Sequence, residues 1–144
     1  MTKKKPTAGP PTPALAPEIR SGQSVELLKE LHVLTREGKL NQDSRRKLKQ
    51  VYHLFQFIEK ILQELQQSTT GEGGLTLADH GAGKSYLGFI IYDLYFKALK
   101  TGHIYGIETR AELVQKSREL AARLGFERMS FLNLSVADAT QSDE

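Results

Sequence analysis

The sequence predicts an α/β fold, a partial doubly wound parallel sheet of order β-α-β-α-β preceded by two helices. Three observations predict it. Three short apolar or alternating stretches, LTLAD (75–79), HIYGIE (103–108) and RMSFLNLSV (128–136), are separated by two stretches of helical periodicity. Helices between successive strands imply parallel pairing with right-handed crossovers. The first strand then breaks into a glycine-rich turn, and the second ends in an acid, Glu108, 25 positions after Gly83.

Taken in order, residues 1–22 contain all five prolines and almost no large apolar side chain, so they are expected to form a disordered, solubilising tail. Residues 23–67 read as a basic helical extension. Within it, SVELLKELHVLTRE (24–37) sets Leu27, Leu28, Leu31 and Leu34 on one face, with Ser24 placed to cap the start and Gly38 the end. A longer helix is expected from Asp43 to about Gln67, with Leu48, Val51, Tyr52, Phe55, Ile58, Leu62 and Leu65 at helical spacing. Arg45, Arg46, Lys47 and Lys49 crowd its first two turns, where the helix dipole disfavours positive charge. Residues 68–144 begin with a polar turn, Ser68 to Gly74, and then carry the strands and helices of the sheet. SYLGFIIYDLYFKALKTG is expected as one apolar helix closed by Gly102. RAELVQKSRELAARLG is expected as an amphipathic helix with Leu113, Ser117, Leu120 and Leu124 inward.

Composition narrows the function classes. The absence of cysteine excludes disulfide staples and thiolate metal sites, and the four histidines lack paired ligand spacing, so no metal is expected. The longest apolar stretch, Tyr86 to Phe96, is interrupted by Asp93 and falls short of a bilayer span, and Lys3 to Lys5 lead into prolines instead of an apolar signal core. A cytoplasmic location is the expectation. The basic surplus is confined to the first half: residues 1–67 hold 12 Lys and Arg against 7 Asp and Glu, residues 68–144 hold 8 against 10. A polyanion, held through Arg45, Arg46, Lys47 and Lys49, is the partner this asymmetry suggests, against the simpler reading of a solvated helix face.

The turn Asp79-His80-Gly81-Ala82-Gly83-Lys84 carries the most specific chemistry. Glycines serve where the chain must turn sharply after a strand and where backbone approaches a ligand closely, and the following helix start turns free N–H groups toward that ligand. Glu108, at the end of the second strand, is placed to accept hydrogen bonds from both hydroxyls of a ribose, or else to cap the helix that follows. ADHGAGKS (78–85) also satisfies a relaxed phosphate-loop pattern, lacking its first glycine and placing Asp79 where phosphate would approach.

The strand, acid, x, Gly, x, Gly order of Asp79, Gly81 and Gly83 resembles the first motif of the class I, Rossmann-like methyltransferases, with Lys84 where many members carry a third glycine. The resemblance implies S-adenosylmethionine as cofactor. By it, the backbone of Gly81 to Gly83 would face the cofactor's methionine and ribose portions, and Asp79 would hold the turn or the amino group. Glu108 would hold the ribose, and Asp138 would lie near the adenine. Lys84 would neutralise the carboxylate, and His80 and Ala82 would be the variable positions of the turn. The wording DHGAGKSYLGFIIYD, GIETRAELV and LAARLGFERMSFL is further similar, over roughly residues 40 to 138, to a bacterial branch related to the methyltransferase domain of glutathione S-transferase C-terminal domain-containing protein. This resemblance implies RNA as the polyanion. Such folds carry about seven strands, so the chain is expected to be the N-terminal half of a longer domain, with catalytic residues unknown and lying beyond Glu144. Two alternatives stand beside this reading: a phosphate-loop nucleotide hydrolase and a non-catalytic nucleic-acid-binding module.

Overall fold

The structure, a computed structural model, describes residues 17–68 and 73–134. Most of the polar turn (69–72), Asp138 and residues 1–16 of the expected tail lie outside the described residues. Within the stretch expected to be tail, Ile19 is buried, and Arg20 lays its guanidinium over the Tyr52 ring at 4.5 Å.

Helix α1 (Val25–Glu30) starts as expected, with the Ser24 side chain accepting from the Leu27 N–H, but it stops seven residues short of Glu37. His32 adopts a left-handed φ of 60°, and the N–H groups of His32 and Val33 return to the carbonyls of Lys29 and Leu28 at 3.0 and 2.8 Å. This is a Schellman closure, made here with histidine where glycine is usual. Leu34 is therefore buried from a turn, beside Ile19, Leu28, Val33 and Leu48. Helix α2 (Gln42–Ser68) begins where the Asn41 side chain accepts the Ser44 N–H at 2.8 Å. Its Leu48, Phe55 and Leu62 are buried, whereas Leu65 of the expected stripe is exposed.

Strands β1 (Thr76–His80), β2 (His103–Glu108) and β3 (Met129–Asn133) form one parallel sheet in the order β1-β2-β3. Ile104 of β2 pairs with Leu77 and Met129, and Gly106 pairs with Asp79 and Phe131. Paired residues project to the same side, and this side carries the core: Phe89 of helix α3 (Tyr86–Leu94) stacks on Phe131 at 5.7 Å, while Val114, Ser117, Leu120 and Ala121 of helix α4 (Ala111–Leu124) are buried. The inward stripe of α4 thus includes Val114 and Ala121, with Leu113 only half-buried. Leu27 of α1 and Leu62 of α2 join the same core cluster. The opposite side of the sheet bears Ala78, Tyr105 and Ser130, which remain exposed or half-buried.

The apolar helix expected to run from Ser85 to Gly102 ends at Leu94 and continues as a 3-10 turn, Phe96–Ala98. The end of a helical stretch leaves carbonyls without intrahelical partners. The Arg128 guanidinium collects them, donating to Phe96 and Leu99 from Nη2 and to Thr101 and Gly102 from Nη1, at 2.7 to 3.0 Å. Inside the helix, the Asp93 carboxylate is buried and accepts from the Ser24 N–H and from Lys97 Nζ, which ties the start of α1 to α3. Among the described residues no helix is long and apolar enough to cross a membrane.

Candidate functional site

The turn between β1 and α3 is built from backbone that only glycine adopts without strain. Gly81 and Gly83 have φ of 69° and 60°, and a Cβ added at Gly81 would meet nothing within 4 Å, so the requirement is conformational, not one of space. Ser85 has φ of 62° and is the left-handed residue at the helix start; Lys84, expected at the third glycine position, is not. Ser85 holds this conformation while buried, with its hydroxyl 3.2 Å from that of Ser117 on α4. Gly106 allows the approach: a Cβ there would stand 2.9 Å from Phe131 and 3.1 Å from Ser85 Oγ.

The turn is fastened to β2. The N–H groups of Gly81 and Ala82 both donate to the Ile107 carbonyl, at 2.8 and 3.0 Å, and the Gly83 N–H donates to Glu108 Oε1 at 2.8 Å. A phosphate loop presents such successive amides to its ligand. Here all three are engaged by protein, so ADHGAGKS forms no phosphate cradle, and the phosphate-loop reading loses its geometry.

Glu108 is 5% exposed and directs its carboxylate into the bend. Oε2 accepts from Arg110 Nε at 2.7 Å, from the Arg110 N–H at 3.0 Å and, at the edge of hydrogen-bonding range, from Thr109 Oγ at 3.5 Å. The Arg110 side chain, its backbone amide and that of Gly83 together hold the carboxyl well below the usual glutamate range, at about 2. Glu108 therefore joins the turn to the start of α4, through the Gly83 and Arg110 N–H groups. A cleft of about 400 Å³ opens beside it, lined by Gly81, Ile107, Glu108, Thr109, Arg110 and Leu134.

The remaining expected site residues fall in different places. Asp79, the next-to-last residue of β1, is half-buried, with no hydrogen bond or ion pair to its carboxylate among the described residues, and burial pushes its pKa up. It does not hold the turn, which Ile107 and Glu108 hold instead. His80 is exposed, and Ala82 is half-buried. Lys84 lines a separate cavity of about 280 Å³ with His32, Tyr86 and Lys116, away from the Glu108 cleft. Arg110, which the sequence does not single out, bonds the acid through both its side chain and its backbone N–H, whereas Thr109 reaches it only at 3.5 Å.

At the start of α2, Arg45 pairs with Glu18, and Arg46 and Lys47 share Asp43. Lys49 is exposed.

A parallel β-α-β-α-β sheet, a glycine turn after β1 and a buried acid closing β2 define an α/β protein of the Rossmann-like class, with its cleft outside the carboxyl ends of the strands. Within that class, the chain belongs to a methyltransferase-domain family, whose sequence model matches residues 46–144, more than half of its length. Among solved structures it is similar to a SAM-dependent methyltransferase from Aquifex aeolicus, at 27% identity and a TM-score of 0.37 over 54% of this chain and 37% of that one. It is also similar to a putative class I S-adenosylmethionine-dependent methyltransferase from Listeria monocytogenes, at 19% identity and a TM-score of 0.38 over 75% of this chain and 43% of that one. The chain thus spans less than half the length of either. No curated protein matches it.

Proposed function

We propose that this chain is the cofactor-binding part of an S-adenosylmethionine-dependent methyltransferase. The observation that carries the reading is the Glu108 carboxylate, buried at the end of β2, bonded to the Gly83 N–H and bordering the cleft. The residues suit the cofactor. Oε1 has one protein donor and so keeps acceptor capacity for a ribose hydroxyl, and the unpartnered Asp79 carboxylate, raised by burial, gains a cationic partner if an amino group arrives. When bound, the cofactor supplies a methyl group activated by its sulfonium. The chain's own part is to hold the nucleoside at Glu108 and the glycine turn, and methyl transfer depends chiefly on such positioning.

Calorimetry with S-adenosylhomocysteine tests this. Binding to the wild-type chain, weakened by Asp79→Asn and abolished by Glu108→Ala, is expected. A response to magnesium ATP with none to S-adenosylhomocysteine would reverse the reading.

For the acceptor, RNA is the proposal. Among the described residues Arg45, Arg46, Lys47 and Lys49 face two acids, Glu18 and Asp43, and Phe57, 64% exposed, lines the same cavity as Arg46 and Lys49. Cations beside an exposed aromatic suit a single strand. Binding of a short RNA should fall steeply with salt, and Arg46→Ala with Lys49→Ala should flatten that dependence. The wording shared with the branch related to glutathione S-transferase C-terminal domain-containing protein supports placing the chain there.

A further inference from the structure

The two oxygens of Glu108 are not equivalent. Oε1 accepts a single donor, the Gly83 N–H at 2.8 Å. Oε2 accepts two full bonds, both from Arg110, its Nε at 2.7 Å and its N–H at 3.0 Å, while Thr109 Oγ stands at the 3.5 Å edge of hydrogen-bonding range. An sp² oxygen has two lone pairs, so Oε2 is saturated while Oε1 has room for one more donor. A vicinal diol held by one carboxylate needs a place on each oxygen. The protein therefore meets such a ligand with half of its acceptor already taken.

The occupant of that half is loosely held at its other end. The Arg110 side chain is 61% exposed, against 6% for that of Glu108. Its guanidinium lies over the glycine turn, where a Cβ added at Gly83 would stand 3.9 Å from Nη2, and Arg110 lines the cleft together with Glu108. Arg110 also stands at the cap position of α4, so its backbone stays in place while the side chain swings.

We propose that Arg110 is an internal competitor for Glu108, a latch whose guanidinium occupies the diol-binding oxygen until a ribose displaces it. This rests on the reading of the cleft as a nucleoside site and adds to it a residue that sets how tightly the sugar is held. Displacement exchanges one charge-assisted bond for a sugar hydroxyl and leaves the guanidinium in water, at the modest cost typical of a half-exposed ion pair.

The test compares S-adenosylhomocysteine with its 2′,3′-dideoxy analogue by calorimetry on the whole chain. Arg110→Ala should tighten binding of the diol ligand about three- to fivefold, the equivalent of losing a partly exposed ion pair, and leave the dideoxy ligand unchanged. Raising salt weakens the latch, so it should narrow the gap between wild type and Arg110→Ala for the diol ligand. Arg110→Lys, which keeps the charge without the fork, should fall between them and serves if the alanine variant does not fold. Weaker diol binding in Arg110→Ala would show that the arginine orients Glu108 instead of competing for it, and equal effects on both ligands would show a role unrelated to the sugar; either overturns the proposal while leaving the cofactor site intact. No binding of either ligand to wild type or variants would overturn the site reading and the latch with it.

Discussion

Glu108 and Arg110 couple the site to the stability of the fold. The carboxyl titrates at about 2 in the folded chain, against an ordinary value of 4.5, because Arg110 and the Gly83 amide favour its charged form. A depressed carboxylate contributes stability that is complete above the ordinary value and is lost as pH falls from there toward about 2. Glu108→Gln has no such charge to lose. The difference in urea midpoint between wild type and Glu108→Gln should therefore shrink steadily as pH is lowered through that window, and a constant difference would mean that the carboxyl is not held in this way. The position of Glu108 was legible because an acid closing an alternating strand, spaced from a glycine turn, leaves few other placements. Its partner was not. Nothing in GIETR distinguishes an arginine that folds back by two residues from one that points to solvent. Ser85 was missed for a related reason, since its left-handed conformation is secured by Ser117, 32 residues away.

At the scale of elements, β1, β2 and α4 fell close to where periodicity put them, HIYGIE to the residue, whereas β3 ends at Asn133 and residues 135–136 of its expected span lie outside the described residues. The two helices that came out short, α1 and α3, were both run on through apolar sequence that is also buried, so hydrophobic spacing alone gave no stop signal. Helix α1 ends at a histidine in a glycine role, and α3 ends where Arg128, from the turn before β3, takes up four carbonyls. A planar fork with donors on both terminal nitrogens is needed for that, and an ammonium cannot span it. Arg128→Lys should cost about 1.5 to 3 kcal/mol, the range for bonds to a charged group, read as a drop in thermal midpoint. The Tyr92 ring, 5.5 Å from the same guanidinium, would lose that planar group as well. An unchanged midpoint would mean that water satisfies those carbonyls as well as the arginine does.

Across the whole molecule, the N-terminal helices reach into the core of the sheet, while Ile19, Leu28, Val33, Leu34 and Leu48 form a second cluster of their own. Leu27 and Leu62 lie in the cluster that contains Phe89, Ile104 and Phe131, and the buried Asp93 carboxylate of α3 receives the Ser24 amide. Charge counting separated a basic extension from a sheet domain, but it has no way to register apolar contact across that boundary. Leu27→Ala and Phe89→Ala should each lower one common unfolding transition, by about 2 to 5 kcal/mol, with far-ultraviolet and tyrosine signals superimposed. Two separated transitions would instead mark the extension as an independent unit. The N–H groups of Gly81 and Ala82 both donate hydrogen bonds to the Ile107 carbonyl. Because the bend is riveted to the neighbouring strand before any ligand arrives, the proposed sugar site would be cast in advance, and under the latch proposal only one side chain has to step aside. Rotamer exchange at an exposed arginine takes nanoseconds at most. Capture should then proceed as a single encounter whose speed rises in proportion to ligand, without the lag that a closing domain imposes.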